Sequence, residues 1–161
     1  MKKLLLFLLL LLPFGVQRIS AQDFSTAQLQ LRTDIETFLK EEGFMPEIDS
    51  DGDIKFKREG VKYYVKIYEK DKSPMYLALF AQFNYPSDYP KDIAKMATIE
   101  LNFYKGVKVL CFDDYVRYQS DMYLKDAETF KLVFYKLINQ LTNARQDMNE
   151  ECAKLQKTKQ I

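Results

Sequence analysis

The chain has 161 residues, with 24 basic and 23 acidic side chains, two cysteines and no histidine. Lack of histidine excludes Ser-His and Cys-His nucleophilic systems and removes the commonest zinc ligand. The balanced, interspersed charge is not the clustered basic excess of a nucleic-acid binder.

Lys2 and Lys3 precede a dense apolar run from Leu4 to Leu12, which continues through Pro13 and Phe14 to Val16. Gln17-Arg18-Ile19-Ser20 then leads to Ala21, a small residue suited to cleavage. A positive start, a short apolar core and a small-residue exit make a secretory signal. The expected product is exported, periplasmic or secreted, after cleavage near Ala21. A run of about 13 residues with a proline falls short of the roughly 20 needed to span a bilayer, so no stable membrane anchor should remain. Three basic residues and no acidic one leave with the signal, so residues 22–161 are slightly acidic. They are long enough for one domain with a sizeable core.

Ser25-Thr26-Ala27-Gln28 has the form of a capping box, and Leu31, Ile35, Phe38 and Leu39 follow at helical spacing. The predicted helix covers 26–42 and ends at Gly43. Phe44 to Ile48 reads as a short edge strand, because it holds Pro46. Asp51-Gly52 marks a hairpin turn, and Ile54 and Phe56 alternate with Lys55 and Lys57. After Glu59-Gly60, Val61 to Tyr68 alternates again. Met75 to Phe83 is apolar on both faces, the pattern of a central strand covered on both sides. A second helix is predicted over 90–105, then strands over 107–112 and 115–123. Asp126 should cap a last helix reaching about residue 156, roughly 46 Å long, against a radius of gyration near 14 Å. Its final turns should therefore project beyond the domain or meet a partner, with Met148, Cys152 and Leu155 as a contact stripe.

Several candidate sites follow. Glu47, Asp49, Asp51 and Asp53 fall at the first, third, fifth and seventh places of an EF-hand register, with Gly52 at the sixth. The twelfth place needs a bidentate glutamate and holds Arg58, so a hairpin with solvated carboxylates explains the stretch better. No metal and no cofactor are expected. Tyr64, Tyr68, Tyr76 and Phe80 should share one sheet face, either packed under a helix or exposed as a contact patch. Cys111 and Cys152 could close a loop of about 40 residues in an oxidising compartment, adding about 3–4 kcal/mol. One lies in a predicted strand and the other late in a helix, which favours two separate small hydrophobes.

The order is helix, four strands, helix, two strands, helix. Within it, Phe38-Leu39-Lys40-Glu41-Glu42-Gly43-Phe44 leads to Asp51-Gly52-Asp53-Ile54-Lys55-Phe56-Lys57, and the second helix carries Asn102. Over most of residues 26–142 this resembles the bacterial YbjN-like family, whose fold is similar to type III secretion chaperones. The resemblance implies a non-enzymatic, often dimeric, protein-binding or regulatory domain without catalytic residues. The export signal separates this chain from the cytoplasmic clients of such chaperones.

The expected fold is α+β, a mainly antiparallel sheet with helices against it. The expected function is an exported protein- or peptide-binding module, self-associating as a homodimer, with an envelope protein or peptide as partner and no nucleic acid. Its mechanism would be burial of the aromatic face, with strand addition at an open edge. The alternative is a small-molecule carrier with an aromatic pocket between sheet and helices. A carboxylate-dependent hydrolase is the weakest reading and needs two acids together in a cleft.

Overall fold

Ser25 starts the first helix by accepting from the Gln28 amide at 3.2 Å and donating its own amide to Gln28 Oε1 at 2.9 Å. This is the capping box read from the sequence, and it opens α1 (Thr26–Glu41). Gly43, at φ +84°, takes the left-handed conformation that ends the helix. The computed structural model describes residues 24–68, 73–102 and 106–159. The expected signal segment and its exit at Ala21 lie outside them.

Beyond α1 come β1 (Glu47–Ile48), β2 (Ile54–Arg58), β3 (Val61–Ile67) and β4 (Met75–Asn84). Then follow α2 (Lys91–Leu101), β5 (Lys108–Cys111), β6 (Tyr115–Leu124) and α3 (Ala127–Lys159). The six strands form one antiparallel sheet in the order β1-β2-β3-β4-β6-β5. The β2–β3 turn places Glu59 at φ 51° and Gly60 at φ 79°, the paired left-handed geometry that matches the twist of a two-residue hairpin. The architecture is the α+β arrangement expected from the order of elements.

One core joins the helical stripes to a single face of the sheet. Ile54, Phe56, Tyr63, Val65, Leu77 and Leu79 meet Ile35, Phe38 and Leu39 of α1 and the Phe130 to Cys152 stripe of α3. Phe134 lies at the centre, edge-on to Phe38 at 5.3 Å and tilted against Phe56 at 5.8 Å. Such ring pairs add about 0.5–1.5 kcal/mol each beyond area burial.

α2 ends at Leu101 with Asn102 as its C-cap, where the Asn102 side chain turns to the backbone of Val109; the predicted continuation over 103–105 lies outside the described residues. Two expectations need correction. The last turns of α3 do not project. They lie along α2, where Met148 and Cys152 are fully buried, Leu155 packs against the core and Lys159 pairs with Asp92 at 2.6 Å. The stripe of Met148, Cys152 and Leu155 is thus used inside the domain. Finally, β4 is central, but among the described residues helices cover only one of its faces; Ala78 and Phe80 are buried yet stand outside the common core.

Cys111 and Cys152 are free thiols. Cys111 is exposed, with Sγ 3.2 Å from Thr98 Oγ1, whereas Cys152 is buried.

Candidate functional site

Alternation along three strands assembles the middle of the sheet face turned away from the helices. β3 contributes Lys62, Tyr64 and Lys66, and β4 contributes Tyr76, Ala78, Phe80 and Gln82. β6 adds Arg117, Gln119, Asp121 and Tyr123, brought alongside by the pairs Tyr76↔Tyr123, Ala78↔Asp121, Phe80↔Gln119 and Gln82↔Arg117. Among the described residues no helix lies over these side chains; they cover one another.

All four predicted site residues lie on this face, in two groups. Tyr64 stacks on Phe80 at 5.1 Å and 11°. Tyr68 leans on Tyr76 at 5.3 Å, and Tyr76 on Tyr123 at 5.1 Å. Their exposures differ greatly. Phe80 is 4 % exposed, whereas Tyr68 is 41 % and Tyr123 64 % exposed. Phe80 owes its burial to Tyr64 and to the Arg117 guanidinium, which sits 4.3 Å above its ring and 5.0 Å from that of Phe112. With the Gln82 amide oriented to suit its neighbours, its oxygen accepts from Arg117 Nη2 at 2.7 Å and Nε at 3.2 Å. Arg117 is thereby held in one place.

Between the two aromatic groups runs a polar row. Asp53 faces Lys66 at 3.8 Å on one side of Ala78. On the other side Asp121 accepts from Lys108 at 2.6 Å and from Gln119 Nε2 at 2.7 Å. The two carboxyls behave oppositely. Burial pushes Asp53 up to about 6, reinforced by Asp49 and Asp51 and only partly offset by Lys66 and Arg117. Burial also pushes Asp121 up, but hydrogen bonds from Lys108, Gln119 and Tyr76 outweigh it and hold the group below its ordinary value. Gln119 Oε1 is buried without a hydrogen-bond partner.

The aspartate-rich turn beside this row has another use for its carboxylates. Asp49 Oδ1 accepts from the amides of Asp51 and Asp53, each at 3.0 Å, and so shapes the hairpin. Among the described residues no group of three or more His, Cys, Asp or Glu side chains is placed to hold a metal ion. Phe24 lies over Gly52, and Arg32 sits 4.8 Å from the Phe24 ring.

At the sheet edge, β1 ends at Glu47, opposite Lys55, so among the described residues β2 continues beyond it without a strand on its outer side. A cleft of about 520 Å³ opens there, lined by Phe44, Met45, Glu47, Phe56, Lys57 and Lys62. By contrast, the cavity between sheet and helices bordered by Tyr63, Phe83 and Leu141 measures about 20 Å³, water-sized.

Tyr123, Arg117 and Lys66 are not among the residues that the sequence marks as candidates, and Asp53 is marked there only as a carboxylate of the aspartate-rich turn. A signal was present in Arg117-Tyr118-Gln119-Ser120-Asp121-Met122-Tyr123, whose alternation sends the odd-numbered residues to one face. No protein-family model matches the chain, and no curated protein matches it in sequence. Among solved structures it is similar to a chain from "Structure of the HopA1-SchA Chaperone-Effector Complex", with a TM-score of 0.52 and 12 % identity over 73 % of this chain and 94 % of that one. The protein therefore has an α+β fold similar to that of a chain of this chaperone–effector complex, with a helix first and a long helix last.

Proposed function

We propose that this protein is an exported, non-enzymatic module that binds a protein or peptide segment on the open face of its sheet and acts as a homodimer. The observation that carries the reading is the uncovered aromatic array, in which Tyr68, Tyr76 and Tyr123 make a continuous ridge with two exposed members. Tyrosine gives large contact area at small entropic loss and keeps a hydroxyl for water, which suits a surface alternating between free and bound states. The unpaired part of β2 adds a second means of capture, since an extended segment can join a free strand edge. A chaperone–effector complex as structural neighbour agrees with protein binding. Export rests on the N-terminal signal pattern. Met96 and Ile99, exposed on α2, offer an apolar surface for self-association.

A photo-crosslinking residue at Tyr68 or Tyr123 tests the face, with exposed Leu132 on α3 as the control position. Cross-links to a protein from envelope extract at the two sheet positions, and not at Leu132, are expected. Equal labelling at all three positions would sink the assignment of the face. Sedimentation should give a dimer, and a strict monomer removes that part of the proposal.

A further inference from the structure

Lys57 and Lys62 stand directly opposite each other on β2 and β3. Like charges at such a pair repel, and only a weak through-space attraction between Lys57 and Glu47, itself bonded to Lys55, acts against this. The acids of this face are already engaged: Glu47 with Lys55 at 2.8 Å, Asp53 with Lys66, and Asp121 with Lys108. None of the ion pairs among the described residues involves Lys57, Lys62 or Arg117. These three cations lie in one row across the sheet, with Gln82 between Lys62 and Arg117. Both lysines border the edge cleft. Arg117 is already fixed by Gln82, Phe80 and Phe112, so it meets an anion with little further loss of side-chain freedom.

The geometry points to an acidic, extended segment of a partner protein that crosses the strands along this row, placing one carboxylate on Lys62, within reach of Lys57, and a second on Arg117. The inference rests on the peptide-binding reading above and specifies its partner. Lys62 and Arg117 are two strand spacings apart, about 10 Å. In a polyproline II-like chain, residues three apart share a side and are separated by about 9 Å, so the two acids should be spaced i and i+3.

Fluorescence anisotropy with two labelled extended peptides provides the test. They are identical except that one carries glutamate and the other glutamine at two positions three apart. The glutamate peptide should bind about tenfold more tightly, with the difference shrinking as salt rises. The preference should vanish in the Lys57→Gln/Lys62→Gln protein and in Arg117→Gln. Lys57→Glu supplies a variant that does not depend on tolerance of a loss: it should raise Tm by relieving the repulsion while weakening the glutamate peptide. A Lys57→Glu protein that is no more stable and binds as before overturns the inference. Equal binding of both peptides overturns it alone, leaving the peptide-binding reading intact. Loss of both peptides, together with no cross-linked partner at Tyr68, removes that reading as well. A single-stranded oligonucleotide that binds more tightly than the glutamate peptide assigns the row to nucleic acid instead. Charge reversal that abolishes self-association without changing peptide binding assigns it to a second copy of the chain.

Discussion

The side-chain amide of Asn102 makes both hydrogen bonds that a neighbouring strand would make to Val109: Nδ2 donates to the Val109 carbonyl at 3.0 Å, and Oδ1 accepts from its amide at 2.8 Å. β5 is an edge strand, and this pairing closes its outer side at that residue. Asn102→Ala leaves a partly buried donor and acceptor unmet, and should lower stability by about 1–3 kcal/mol in denaturant unfolding. Amide exchange at Val109 should accelerate more than at Leu79 in the sheet centre. Unchanged protection at Val109 would show that the clamp carries no energy.

Asp53 should make stability depend on pH. Its folded-state carboxyl lies at about 6, above its ordinary value of 3.8. The folded state therefore holds the proton more tightly, so this group's stabilisation is complete below pH 3.8 and is lost as pH rises through 6. The groups facing it are Lys66, Asp49, Asp51 and Arg117. Asp53→Asn should flatten that part of the profile and gain about 1 kcal/mol near neutral pH, less than the full shift implies because the loss of Lys66's partner and solvent screening oppose it. A profile that keeps its slope in the variant assigns the dependence elsewhere.

The two thiols should react very differently. Cys111 is exposed and should be labelled by a maleimide in the native protein. Cys152 is 0 % exposed and burial pushes its thiol up, so it should be labelled only on unfolding. One equivalent of rapid label is the expected result. In the same helix, Met148→Ala should cost about 2–4 kcal/mol by leaving a cavity against α2, whereas Leu132→Ala should change stability little. Equal effects would contradict the packing of the final turns.

Gly52 combines φ +79° with the Phe24 ring directly over its α-carbon. A methyl group there meets both backbone strain and that ring, so Gly52→Ala should destabilise by about 1–3 kcal/mol. Phe24→Ala should recover part of the loss in the double variant. Strictly additive effects would show that the ring is not the obstacle.

Much of the fold can be read locally. The Ser25–Gln28 box, the left-handed Gly43 and the turns at Asp51-Gly52 and Glu59-Gly60 each specify geometry through residues close in sequence. Grouping of Tyr64, Tyr68, Tyr76 and Phe80 follows from period two. What covers Phe80 does not, because Arg117 reaches it only through the β4–β6 register, set by residues far apart in the chain. The opposed lysines are hidden for the same reason: Lys57 looks like an ordinary solvated charge until it is paired with Lys62. Chain length misleads for α3, since a helix longer than the domain radius can still be buried when a second helix lies along it.

The pairing of β4 with β6 also fixes when the molecule can become a folded body. These strands are both interior to the sheet, yet residues 85–114 lie between them, and α3 comes after both. A chain emerging from its N-terminus can form β2 and β3 as a local hairpin early. It cannot complete the sheet until Leu124 is free, nor cover the core until α3 has followed. Until its last quarter appears, such a chain lacks the contacts between sheet and α3 that complete the core.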